Sequence, residues 1–119
     1  MNRLTVLLAG VFAHTLFAPA LAHPPTLAEC REGGEFIRHA AMSRDNGITK
    51  QVFMDRLAQD IALVQAFPPD LRWFVQDDYD VRFLTAAAER VFDEPSEPQR
   101  HEAVFVRDCL EATVWNRDR

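Results

Sequence analysis

A chain of 119 residues with 18 acidic and 13 basic side chains carries a formal net charge of −5. That length allows one small domain, and the acidic balance disfavours nucleic acid and anionic membrane surfaces, both of which reward a basic patch. Two cysteines leave room for one covalent staple, and the four glycines stand in no phosphate-loop spacing.

In chain order, residues 1–22 read as a secretory signal peptide cut after Ala22. Arg3 supplies a short basic start, Leu4 to Phe17 is a mainly apolar run, and Pro19 ends it. Ala20-Leu21-Ala22 has the small-x-small pattern that signal peptidase accepts. The run is shorter than the roughly 20 apolar residues of a membrane span. The mature chain is then a single helical domain, residues 23–119, expected in the periplasm or outside the cell and free of the membrane. It is one unit more negative than the whole, because Arg3 leaves with the signal peptide. In an oxidising compartment an even cysteine count points to a disulfide between Cys30 and Cys109. Closing that long loop stabilises a chain by on the order of 4 kcal/mol through lost unfolded-state entropy. Neither cysteine belongs to a C-x-x-C pair, which weakens a redox or metal-ligand reading.

Thr26-Leu27-Ala28-Glu29 is a capping box, so a first helix should run from about Leu27 to Asp45. Cys30, Gly33, Gly34, Ile37, Ala40 and Ala41 share its inner side, and two glycines there suggest that another helix comes close, the alternative being a frayed or kinked first turn. Asn46-Gly47 is a left-handed stop. Thr49 can cap a second helix over about Lys50 to Ala66, with Phe53, Leu57, Ile61 and Val64 at helical spacing. Phe67-Pro68-Pro69-Asp70 reads as a rigid joint with Asp70 as cap. A third helix is expected from about Leu71 to Phe92, with Phe74, Val81, Leu84, Ala88, Val91 and Phe92 inward. Asp93-Glu94-Pro95 ends it, and Ser96-Glu97-Pro98-Gln99 opens a fourth helix from about Glu97 to Trp115. Its expected stripe is Ala103, Val106, Leu110 and Val114, with Cys109 on the flank. No stretch alternates as a strand. The fold class is all-α, a compact four-helix domain with one disulfide.

Candidate chemistry is sparse. Cleavage after Ala22 would leave His23 with a free amine, a chelate that copper favours, but His39 and His101 fall on solvent sides and form no ligand pair with it. His39 and Met42 share a face at most as a soft contact. No metal site and no cofactor are expected. Asp77, Asp78 and Asp80 lack the spacing of a calcium loop and read as a solvated face. Ser43 and Ser96 stand in no nucleophile turn, and Glu94 and Glu97 flank prolines without a visible pocket, so no catalytic residue is assigned. Arg44 turns inward near Asp45, and Asp77 also falls on an inner face. These three are candidates for a structural polar clamp, with the Asn46-Gly47 carbonyls as rival partners. Trp73, Val104 and Trp115 are weaker candidates for a partner surface.

Cys30, Arg44-Asp45-Asn46-Gly47-Ile48, the joint around Pro95 and Pro98, and Cys109 together resemble a group of small secreted helical proteins of proteobacteria. Gly33-Gly34 and the early Pro24-Pro25 depart from that pattern. The resemblance implies a helical fold, export and the disulfide, and it transfers no catalytic residue. The resulting expectation is a non-enzymatic exported protein that binds an envelope protein partner, as an inhibitor or immunity-type factor does. The alternatives are an acid- or stress-activated periplasmic chaperone, and a copper-binding module built on His23.

Overall fold

The computed structural model describes residues 24–117, with side chains through residue 112. The signal-peptide reading, His23 and the side chains of Val114 and Trp115 lie outside the described residues. Helix α1 spans Leu27–Asp45, α2 Lys50–Val64, α3 Asp78–Asp93 and α4 Pro98–Arg117, with a single 3-10 turn at Pro69–Leu71. No strand occurs among the described residues. The described residues are all-α, with four helices and one disulfide.

Local chemistry sets the first boundaries. The Thr26 hydroxyl accepts from the Glu29 amide at 3.2 Å and donates to its carboxylate at 3.2 Å, which closes the start of α1. At the other end the Gly47 amide donates to the Arg44 carbonyl (2.9 Å) and the Ile48 amide to the Ser43 carbonyl (3.0 Å). This paired 5→2 and 6→1 pattern needs a left-handed residue after the cap, and Gly47 supplies it at φ +93°. Thr49 then caps α2 by accepting from the Val52 amide at 3.3 Å.

The inner face of α1 is the one its periodicity dictates: Cys30, Gly33, Gly34, Ile37, Ala40 and Ala41 are its buried residues. Helix α4 lies along that face as the main partner of α1, and α3 bridges α1 and α2. A Cβ on Gly33 would sit 2.5 Å from the Phe105 ring, and one on Gly34 would sit 2.6 Å from Val106. The two glycines are therefore what lets the helices approach. The Cys30–Cys109 bond ties them together across a Cα separation of 5.7 Å.

Helix α4 is rotated from its expected setting. Phe105 and Cys109 are buried, Val106 and Leu110 are half-buried, and Ala103 is exposed. The disulfide and the gap above Gly33 fix this rotation: once Cys109 faces α1, Phe105, four residues back, must fill the gap. The start of α4 also shifts. The Arg100 and His101 amides both donate to the Glu97 carbonyl, so Glu97 rather than Ser96 holds the cap position, with Pro98 in the first turn.

The expected start of the third helix at Leu71 is wrong by seven residues. After the 3-10 turn the backbone reverses at Trp73, whose φ is +37°, and continues irregularly to Asp77. Asp77, not Asp70, is the N-cap of α3 and accepts from the Asp80 amide at 2.9 Å. The detour lays Phe74 and Val75 into the core, 1% and 2% exposed. Phe74 meets Phe105 and Phe83, while Trp73 meets Phe36, which also meets Phe53. Phe53 in turn meets Phe92. A run of ring contacts thus crosses all four helices, with centroids 5.1–6.3 Å apart, in the range where edge and tilted pairs attract.

Candidate functional site

The most organised polar cluster gathers on Arg44, in the last turn of α1. Its side chain is 15% exposed. One terminal nitrogen donates to the Val91 carbonyl at 2.7 Å, the other to the Ser96 carbonyl at 2.7 Å. The same guanidinium also donates to the Asp45 carboxylate at 2.8 and 3.1 Å. Val91 lies in the last turn of α3, where helix carbonyls have no internal partner, and the residue four positions on is Pro95, which has no N–H to offer. Arg44 supplies the missing donor from another helix, and its charge suits the negative end of the α3 dipole. The clamp therefore joins α1 to the α3–α4 joint, not to the α1–α2 turn whose carbonyls were the rival expectation. Asp45 belongs to it. Asp77 does not: it caps α3 and is exposed.

His101 sits against this clamp and not on the solvent side where its helix position alone would put it. The Arg44 Nη1 atom lies 3.5 Å from His101 Nε2. Arginine has only donors, so a hydrogen bond here requires an unprotonated Nε2, the tautomer with its proton on Nδ1. Burial, then the cations Arg44 and Arg90, hold the imidazole below its ordinary pKa; Glu94 opposes them and Arg100 adds to them. His101 also lines a groove of about 470 Å³ between α3 and α4, floored by Ile37 and Phe105 and rimmed by Arg90, Arg100, Glu94 and Asp108. Arg90 and Asp108 face each other across it at 3.9 Å.

The three aspartates around the start of α3 have separate roles. Asp77 caps, Asp78 is exposed, and Asp80 is buried at 4% exposure, where it accepts from the Gln76 amide at 3.0 Å. Desolvation raises the Asp80 pKa; the Gln76 amide works against this, and the charges of Asp77 and Glu29 add to it. Among the described residues no group of three His, Cys, Asp or Glu side chains is placed to hold a metal ion. His39 and Met42 are both exposed on α1.

A second arginine clamp holds the other irregular joint. Arg72 donates to the Phe67 carbonyl at 2.7 Å and the Gln65 carbonyl at 3.1 Å, just past the end of α2. Only its place beside a proline-rich joint hinted at this in the sequence. Trp73 is half-buried in the ring contacts, and Val104 is half-buried at the groove, so neither stands out as a partner contact. The apolar exposure lies elsewhere. Helix α2 buries Leu57 alone. Val52 is 51% and Leu63 66% exposed, and Phe67 (51%) and Leu71 (65%) follow in the joint. No described helix is long and apolar enough to cross a membrane. Comparison of the chain with protein-family models, curated proteins and solved structures returns no match.

Proposed function

We propose that this is an exported, non-enzymatic helical protein that acts by binding a protein partner in the cell envelope, in the manner of an inhibitor or immunity factor. The observation that carries the reading is α2. It has seven large apolar side chains, yet only Leu57 is buried, and Leu63, Phe67 and Leu71 continue the exposed apolar surface into the joint. Large apolar groups left in water beside a rigid frame are the usual material of a protein contact. The disulfide and the two arginine clamps support the reading, since a surface ordered in advance loses less entropy on binding. Export rests on residues 1–22 and is supported by the disulfide. Kinship with the small secreted proteobacterial proteins is part of the same proposal.

The test is a matched pair of baits, the purified disulfide-bonded protein and its Leu63→Glu/Phe67→Glu variant, applied to envelope extract. The expected result is a stoichiometric complex with the first and none with the second, at equal thermal stability. Equal recovery with both baits, or no specific complex with either, overturns the reading. A second reading, an acid-activated chaperone, is favoured by the charged clamps that hold both joints. It requires suppression of client aggregation at about pH 3–4, where carboxylates titrate, and its absence at neutral pH.

A further inference from the structure

The Arg44 clamp places a titratable ring where it can release the joint. We propose that His101 is an acid-sensitive latch: protonation of its imidazole sets a second cation against Arg44 and loosens the hold of α1 on the α3–α4 joint. The inference goes beyond the α2 reading, since it concerns when the domain opens and not what it binds.

The contact itself carries the argument. His101 Nε2 lies 3.5 Å from Arg44 Nη1, a contact that is attractive only when Nε2 presents a lone pair. A proton on that atom turns the contact into two opposed donors of like charge. The groups facing the ring from each neighbouring element decide whether the new charge is compensated. From α1 comes Arg44, already engaged with Asp45. From α3 comes Arg90, facing Asp108. From the joint comes Glu94, the one carboxylate that favours the cation, and from α4 itself comes Arg100. Arg44 and Arg90 each face an aspartate and Glu94 is offset by Arg100, so the imidazolium adds a charge for which no carboxylate is left over. Where the repulsion displaces Arg44, the carbonyls of Val91 and Ser96 lose their donor.

The sign follows from linkage. The folded state resists the proton, so its His101 pKa lies below the ordinary 6.5 of the unfolded chain. Above that value neither state is protonated and nothing is lost. As pH falls through 6.5 the unfolded chain takes the proton first, and stability drops until the folded protein is protonated too.

The test follows urea midpoints of the disulfide-bonded protein between about pH 7.5 and 5.5, a window where histidines titrate and most carboxylates do not. The wild type should lose stability on acidification. His101→Gln, whose amide oxygen can accept from Arg44 without titrating, should abolish that loss, and His39→Gln should leave it intact. An NMR titration of wild type gives the second readout: an Nδ1–H tautomer for His101 that titrates below the ordinary 6.5. A His101 that titrates at or above 6.5, or a His101→Gln variant that keeps the full acid loss, overturns the latch.

Discussion

Replacing Arg44 by alanine removes a guanidinium that ties three parts of the chain together, and the cost can be worked from its partners. Its two carbonyl bonds are both 2.7 Å long and part-buried. A hydrogen bond from a charged donor contributes about 1.5–3 kcal/mol. Water can enter through the adjoining groove and reclaim part of that, so the lower end applies to each bond and the pair comes to about 3 kcal/mol. The Asp45 carboxylate is 53% exposed, which limits its ion pair to less than about 1 kcal/mol. Arg44→Ala should therefore destabilise by about 3 kcal/mol, Arg44→Lys by about half as much because a single ammonium reaches one carbonyl well, and Asp45→Ala by under 1. For a domain of this size that places the Arg44→Ala melting temperature about 12–24 °C below wild type, read by far-ultraviolet circular dichroism with the disulfide intact. Two results would refute the reasoning. One is an Arg44→Ala protein within 0.5 kcal/mol of wild type. The other is an Asp45→Ala protein as damaged as Arg44→Ala, which would put the energy in the surface pair instead of the carbonyls.

Gly33→Ala should lower stability by about 1–3 kcal/mol through overpacking against the Phe105 ring, although alanine is the better helix former by about 1 kcal/mol; urea unfolding that shows a net gain would sink the close-approach account. Asp80→Asn keeps an acceptor for the Gln76 amide and removes a charge that burial penalises, so it should be at least as stable as wild type at pH 7. That advantage should shrink on acidification, because the raised pKa lets the folded wild type bind a proton before the unfolded chain does. Asp80→Ala, which strands the amide, should instead cost about 1–3 kcal/mol at pH 7. Cys30→Ser should cost about 2–5 kcal/mol, and thiol labelling of the unreduced wild-type protein should give no signal.

Where one helix face is both periodic and chemically distinct, the letters were enough. Cys30, Gly33, Gly34, Ile37, Ala40 and Ala41 recur at helical spacing, and the two glycines among them pointed to a close neighbour, with a frayed or kinked first turn as the alternative. Helix α4 offered two stripes of equal period. Ala103, Val106 and Leu110 carry more apolar letters than Phe105 and Cys109, and the disulfide decides between them only once its direction in space is known. The segment 72–77 was opaque for another reason. Its apolar residues suit a helix, but Trp73 in the left-handed region and the Asp77 cap break it, and the compensation comes from tertiary burial of Phe74 and Val75. The inward lean of Arg44 was legible from its helix position. Its partners were not, because Val91 and Ser96 lie 47 and 52 residues away in sequence. His101 was misplaced because its burial comes from Arg44 and the groove, and not from the stripe of its own helix.

The disulfide has a topological consequence as well as an energetic one. Cys30 and Cys109 stand 79 positions apart, so α2, the 3-10 turn, α3 and every joint lie inside one covalent ring. A protease that cuts the exposed backbone once, at the prolines before Asp70 or at Asp93-Glu94-Pro95, opens the ring without dividing the molecule. Both new ends remain tethered through the sulfurs, and the mass changes only by the water added. Two cuts are needed to release a fragment. A nicked population would therefore migrate as intact protein without reductant and fall into two pieces only after reduction, so the covalent ring tolerates one scission.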